Sequence, residues 1–189
     1  QMKTRNFLFT GLLALASTVA ANAQTFDIDL LKAQPVYSAE KGQGYDILAA
    51  PKAKSNAPFF YSVKVADGNY KVTVVLGSKK KAGKTVVRAE NRRLMLDEVS
   101  TRKGEFKTYS FIVNKRSPYI TDKMNVKIKP REKETFTWDE KLTLEFTGAA
   151  PAVKSIKVEP APAETTTVFL CGNSTVVDQF TEPYASWGQ

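Results

Sequence analysis

Apolar residues recur at every second position along most of this chain. The alternation is clearest over residues 26–30, 61–65 and 70–76. Because successive side chains of a β-strand point to opposite faces, this pattern predicts strands that each bury one face. No amphipathic helix of useful length is indicated by the sequence. The pattern therefore favours antiparallel sheets with one face in a core and one in solvent.

Shorter alternating runs predict further strands at residues 85–89, 93–96, 105–113, 125–129, 142–146 and 155–158. The segment Ala66-Asp67-Gly68-Asn69 separates two of the clearest strands. Glycine and asparagine tolerate positive φ, so we predict a tight hairpin between residues 61–65 and 70–76. Many short strands separated by turn residues predict an antiparallel β-sandwich over residues 24–160.

The first residues have the pattern of a secretory signal peptide. Lys3 and Arg5 precede an apolar run over residues 7–20, and Ala21-Asn22-Ala23 follows it. The run is shorter than the roughly 20 residues of a membrane-spanning helix. We therefore expect cleavage before Gln24 and a secreted or periplasmic protein with no membrane span after cleavage. A retained transmembrane anchor is the alternative.

The composition excludes several kinds of chemistry. The 189 residues contain no histidine and one cysteine, Cys171. A serine–histidine pair, a histidine metal site and an internal disulfide are therefore impossible within them. We predict no cofactor and no metal site, and we expect Cys171 to be a small buried strand residue.

The pattern changes after a stretch rich in proline and alanine, which predicts a linker over residues 161–166. Residues 168–170 are apolar on both faces, as in a strand buried in a parallel sheet. Gly172 then permits a sharp turn, after which the Ser174 hydroxyl can lie at a helix N-terminus. A nucleophilic serine and a plain turn or helix cap both fit this pattern.

The run from Phe169 to Asp178 (FLCGNSTVVD), with Trp187-Gly188-Gln189 after it, resembles the opening block of SGNH (GDSL-type) hydrolases. Within that superfamily it is most similar to the rhamnogalacturonan acetylesterase branch. The resemblance implies that Ser174 is the nucleophile and a backbone oxyanion donor, in a motif with the three residues Gly172, Asn173 and Thr175. Asn173 stands where the family usually has Asp, and Ser186 stands where a Gly is expected.

This resemblance implies that residues 167–189 begin an α/β esterase domain and that the chain is the N-terminal part of a longer enzyme. The family's remaining site residues, including a late Asp-x-x-His, have no counterpart in these 189 residues. Without a base a serine hydroxyl is a poor nucleophile, so we expect the chain alone to be inactive. The parent enzyme would deacetylate a pectic cell-wall polysaccharide by serine acyl transfer.

The upstream region resembles galactose-binding-like sandwiches of the jelly-roll kind, in residues 67–72 and 138–146. That resemblance implies an accessory domain, and the alternative function is a non-catalytic carbohydrate-binding or structural module. Trp138 and Tyr45 are the candidate sugar-stacking residues, with Tyr37 and Tyr119 as further candidates. An aromatic residue beside a strand is also commonly a core residue.

Basic residues are concentrated between residues 79 and 103, within a net charge of +9. They are Lys79, Lys80, Lys81, Lys84, Arg88, Arg92, Arg93, Arg102 and Lys103. The two interpretations are solvated loops and a surface for a polyanion. For an exported protein the polyanion would be an anionic pectin, and we expect a polysaccharide partner rather than nucleic acid.

Overall fold

The computed structural model describes residues 24–46, 57–133, 135–179 and 183–186. The signal peptide predicted for residues 1–23 lies outside these residues, as do residues 187–189 of the hydrolase-like motif. The described residues form nine β-strands and one short 3₁₀ helix at Pro130–Glu132. The strands are β1 (Phe26–Asp29), β2 (Gln43–Asp46), β3 (Phe59–Lys64), β4 (Gly68–Gly77), β5 (Gly83–Ala89), β6 (Arg93–Thr101), β7 (Phe106–Lys115), β8 (Lys141–Ala150) and β9 (Val153–Pro160).

The strands form two antiparallel sheets. One sheet has the order β1-β9-β4-β7 and the other has the order β2-β3-β8-β5-β6. Inward-facing residues of β4 in the first sheet, such as Val72 and Val74, are completely buried. Leu142 and Phe146 of β8 in the second sheet are buried to the same extent. Side chains of both sheets join one hydrophobic core, so the chain is an antiparallel β-sandwich as predicted.

The hairpin predicted at residues 66–69 is wrong. β3 pairs with β2 and β8, whereas β4 pairs with β7 and β9 in the other sheet. The 66–69 segment therefore carries the chain from one sheet to the other. Alternation predicts which face of a strand is buried, but it does not identify the neighbouring strand. The same alternating pattern occurs in strands that pair within one sheet and in strands that face each other across a core.

One predicted strand is not formed, and one strand of the structure was not predicted. Residues 125–129 form no strand, and only an isolated bridge joins Asn125 to Tyr119. Conversely, β2 was not predicted, because Gln43-Gly44-Tyr45-Asp46 has no alternating apolar residues. Its position is set by neighbours on both sides, since it pairs with β3 and the Tyr45 amide donates to the Pro35 carbonyl at 2.8 Å.

The segment after the linker belongs to neither sheet. Residues 168–170 are not in a strand, and Val168 is 74% exposed and Phe169 63% exposed. Cys171 is exposed as well, so the expectation of a buried cysteine is wrong for this chain. No described strand lies beside residues 168–170, and an apolar segment without a neighbouring strand has no sheet to bury it.

Candidate functional site

Three residues with left-handed backbone conformations lie at one end of the sandwich. Glu90 (φ 52°) and Arg92 (φ 65°) lie in the turn between β5 and β6, and Trp138 (φ 65°) precedes β8. Among the described residues they are the only non-glycine residues with positive φ. This conformation costs roughly 1–2 kcal/mol per residue outside glycine. Such strain concentrates at functional sites, so this end of the sandwich is the candidate site.

Glu90 is the most buried charged residue of this region. Its side chain is 3% exposed, and its Oε1 accepts a hydrogen bond from the Thr143 amide at 3.0 Å. Burial raises the pKa of Glu90 to about 8, and the nearby Asp139 adds to this effect. Arg93 and Arg116 favour the charged form but do not offset the loss of water. Buried acids with raised pKa values are frequent at binding and catalytic sites.

Trp138 is half-buried, so it is neither a core residue nor a fully exposed one. The Arg116 guanidinium lies over its ring, with Cζ 4.7 Å from the ring centroid. Burial lowers the pKa of Arg116, with the like charge of Arg93 as the next cause. A guanidinium at this distance makes a cation–π contact that holds the indole in one orientation.

The other candidate aromatic residues occupy different environments. Tyr45 is 7% exposed and its ring packs against Phe59 and Tyr61, so its ring is covered by the core. Tyr37 is partly buried beneath the Lys141 ammonium, which lies 5.0 Å from its ring centroid. Tyr119 is 71% exposed in the loop between β7 and β8. Of Trp138 and Tyr45, the two main candidates for sugar stacking, Trp138 therefore reaches the surface and Tyr45 does not.

Residues from the far end of the chain complete the charged cluster. The Asp178 carboxylate lies 3.5 Å from Arg93 Nε and 3.9 Å from the Arg116 guanidinium. The Asn91 side-chain amide donates to the Asp178 carbonyl at 3.0 Å. Burial raises the pKa of Asp178, although both arginines oppose that effect. We call Glu90, Asn91, Arg93, Arg116, Trp138 and Asp178 the Trp138 cluster.

Of this cluster, the sequence indicated only Trp138 as a candidate sugar-stacking residue, and Arg93 as one of the surface bases. Glu90, Asn91, Arg116 and Asp178 belong to three separate parts of the sequence. The one local signal was the run Glu90-Asn91-Arg92-Arg93 between two strands, which is polar and lacks glycine. A turn without glycine that contains two left-handed residues marks a position where tertiary contacts outweigh backbone preference.

Ser174 lies in an exposed turn rather than at a helix N-terminus. The Val176 amide donates to the Asn173 carbonyl at 3.1 Å. The Asn173 side chain accepts from the Thr175 amide at 3.0 Å and from the Thr175 hydroxyl at 2.7 Å. Gly172 suits this turn, because a Cβ there would lie 2.6 Å from the nearest Val176 methyl group. Ser186, at the other motif position within the described residues, is 6% exposed.

The structure divides the basic residues into two groups at opposite ends of β5 and β6. Lys79, Lys80, Arg102 and Lys103 are exposed in two loops that are joined by a bond from the Gly104 amide to the Ser78 carbonyl at 2.9 Å. We call these four residues the basic loops. Arg92 and Arg93 lie at the other end, where they contact Asp178, Gln179 and Tyr184. The predicted single polyanion surface is thus two separate surfaces.

Neither a metal site nor a membrane-spanning helix is present among the described residues. They contain no group of three or more His, Cys, Asp or Glu side chains placed to hold a metal ion. No helix in that part of the chain has the length and apolar character needed to cross a bilayer.

Comparisons with known proteins include a distant structural likeness. No protein-family model and no curated protein matches the chain. A family 35 carbohydrate binding module from Clostridium thermocellum is similar with a TM-score of 0.32 and 12% identity, over 69% of this chain and 100% of that one. The resemblance of residues 169–178 to SGNH hydrolases and the signal peptide both remain predictions.

Proposed function

We propose that the sandwich is a non-catalytic carbohydrate-binding module whose sugar site is the Trp138 cluster. The observation that carries this proposal is the partly exposed Trp138 ring, held by Arg116 at 4.7 Å within a group of charged and amide side chains. A sugar ring presents C–H groups that pack on an aromatic face and hydroxyl groups that need planar hydrogen-bonding partners. An aromatic residue with a few convergent polar groups provides both.

The cluster is already rigid, which favours binding. Arg93 is held by the Asn114 carbonyl at 3.0 Å and by Asp178, and Glu90 is held by Thr143. Ordering long side chains on binding costs about 0.5–1.5 kcal/mol each. Because these side chains are fixed in the free protein, that cost is reduced.

The test is binding of soluble pectic and neutral glycans to the purified chain, measured by affinity electrophoresis and calorimetry. We expect retardation by at least one glycan and its loss in Trp138→Ala. Tyr119→Ala is the matched control, because Tyr119 is an exposed aromatic residue in a separate loop. Loss of binding in Tyr119→Ala with retention in Trp138→Ala would contradict the site. Absence of binding to the whole panel would contradict the function and favour a structural module.

A second proposal concerns the longer enzyme that the hydrolase resemblance implies. We propose that Ser174 supplies the nucleophile of an acetylesterase whose base lies outside these residues, since the chain has no histidine. The exposed position of Ser174 in the turn at residues 173–176 supports this role. The chain alone should neither hydrolyse an aryl acetate nor react with a fluorophosphonate. Labelling that is lost in Ser174→Ala would show that a base within these residues activates it.

A further inference from the structure

We propose that the Trp138 end of the sandwich is a two-point clamp that holds residues 165–179 and fixes the position of the Ser174 turn. The sequence predicts an extended linker at residues 161–166. The described contacts attach the segment after this linker to the sandwich at two separate places. This inference does not depend on sugar binding.

The first anchor is Asn69 at the start of β4. Its side-chain amide donates to the Thr167 hydroxyl at 2.8 Å, and the Thr167 hydroxyl donates to Asn69 Oδ1 at 3.0 Å. The Asn69 carbonyl also accepts from the Ala161 amide at 2.9 Å. Asn69 thus uses both side-chain polar atoms and its carbonyl to hold the linker against this end of the sandwich.

The second anchor is the turn between β5 and β6. Asp178 lies between Arg93 and Arg116, and Arg92 donates to the carbonyls of Gln179 at 3.2 Å and Tyr184 at 3.0 Å. Hydrogen bonds with charged donors are about twice as strong as neutral ones. Arg92 has a left-handed backbone conformation, which is costly outside glycine. The hydrogen bonds of its guanidinium to Gln179 and Tyr184 offset part of that cost.

The two anchors belong to one network. The Asn114 side-chain amide donates to Asn69 Oδ1 at 2.9 Å, and the Asn114 carbonyl accepts from Arg93 at 3.0 Å. Residues 168–177 therefore form a loop whose two ends are held close together, as in an Ω-loop. Within the loop, the Gln179 side-chain amide donates to the Ser174 carbonyl at 3.1 Å. Arg92 thus positions the Ser174 turn through Gln179.

The experiment uses Cys171, which is exposed and is the only cysteine, as the attachment point for a nitroxide label on the full chain. Asp178→Asn weakens the second anchor, and Thr167→Val weakens the first by removing the hydroxyl that bonds to Asn69. Both residues lie outside the sheets, so neither change removes pairing between strands. The matched control is Lys84→Gln, which breaks the 3.0 Å ion pair with Glu98 at the opposite end of β5.

We expect restricted label motion in the parent chain and faster motion in each anchor variant. The double variant should be faster still, and Lys84→Gln should resemble the parent chain. Amide hydrogen exchange over residues 173–179 should accelerate by about tenfold or more in Asp178→Asn, because a charged contact is lost. Parent-chain motion equal to that of the urea-unfolded chain would overturn the clamp, as would unchanged motion in both anchor variants. No glycan is added, so failure here leaves the sugar-binding proposal standing.

Discussion

The Glu90 carboxylate accepts a hydrogen bond from the Thr143 amide at 3.0 Å in a position that is 3% exposed. This contact joins the turn that carries Arg92 to β8, and it places a buried acid within the Trp138 cluster. Burial raises the pKa of Glu90 from 4.5 to about 8. The folded protein therefore holds a proton at pH values where the unfolded chain has released it.

The first prediction concerns how the free energy of unfolding depends on pH through Glu90. Stability from a raised pKa is fully present below the unfolded value and is lost as pH rises through the folded value. Between pH 4.5 and about 8 the free energy of unfolding should therefore fall in the parent chain. Glu90→Gln keeps an oxygen acceptor for Thr143 but cannot ionise. It should be more stable than the parent near pH 8, on the order of 4 kcal/mol, with little difference near pH 5.

Urea unfolding of both proteins across this pH range provides the measurement. Glu98→Gln, at an exposed position of β6, is the control and should follow the parent chain. A constant difference between the parent and Glu90→Gln at every pH would contradict the raised pKa.

The second prediction concerns the core between the sheets. Phe146 is completely buried and its ring stacks on Phe59 with centroids 5.0 Å apart. Phe146→Ala should lower the free energy of unfolding by about 3–5 kcal/mol, because it removes buried apolar surface and leaves a cavity. Leu94→Ala, at a position 47% exposed, should change it by about 0.5 kcal/mol or less. Equal effects in chemical denaturation would contradict the assignment of Phe146 to the core.

The third prediction concerns the loop that connects the sheets. Lys115 is 3% exposed, and its ammonium lies 2.9 Å from the Asp67 carboxylate, which also accepts from Ser117. Burial alone would raise the pKa of Asp67, but hydrogen bonds from Ser117 and Lys115 outweigh it and lower the pKa. Asp67→Asn should cost about 1–2 kcal/mol, since it leaves the buried Lys115 without its counter-charge and Asp67 is itself partly exposed.

A double-mutant cycle checks this pair. Lys115→Met alone should also destabilise the protein, whereas Asp67→Asn combined with Lys115→Met should cost less than the two single changes together. The stability from Asp67 is present above its unfolded pKa and is lost as pH falls through its lowered value. Strict additivity in the cycle would show that the two side chains do not interact.

The fourth prediction concerns the basic loops. Replacing Lys79, Lys80 and Lys103 together by glutamine should reduce retention on polygalacturonate at low salt. The control replaces Lys32, Lys123 and Lys127, which are exposed elsewhere and carry the same total charge. Retention of the parent chain should weaken as salt rises, since the screening length falls to about 8 Å at physiological ionic strength. Equal losses in both triple variants would mean that net charge, and not this surface, governs binding.

Much of the strand content follows from alternation alone. The β4 sequence from Gly68 to Gly77 has an apolar residue at every second position, and each of these residues is buried. β2 could not be predicted in this way, because Tyr45 is its only large apolar residue. An edge strand of this kind is specified by hydrogen bonds to its neighbours and not by its own composition.

The candidate site could be predicted only in part. Trp138 was found because an aromatic residue beside a strand is conspicuous in a sequence. Arg116 was not predicted, because its role depends on its guanidinium lying over the ring of Trp138, which is distant in sequence. A turn follows Gly172 as expected, but Ser174 does not lie at a helix N-terminus, and the attachment of the turn through Asp178 and Gln179 has no local signal.

The amino-acid sequence by itself determined that this protein is an antiparallel β-sandwich, because the two-residue period of side-chain direction is a local property of an extended chain. Only the tertiary structure decided that residues 66–69 cross between the sheets and that Glu90, Arg116, Trp138 and Asp178 form one cluster. Strand pairing and charge clustering depend on through-space contacts between residues remote in sequence. Those contacts are selected by the packing of the whole core, which no local pattern encodes.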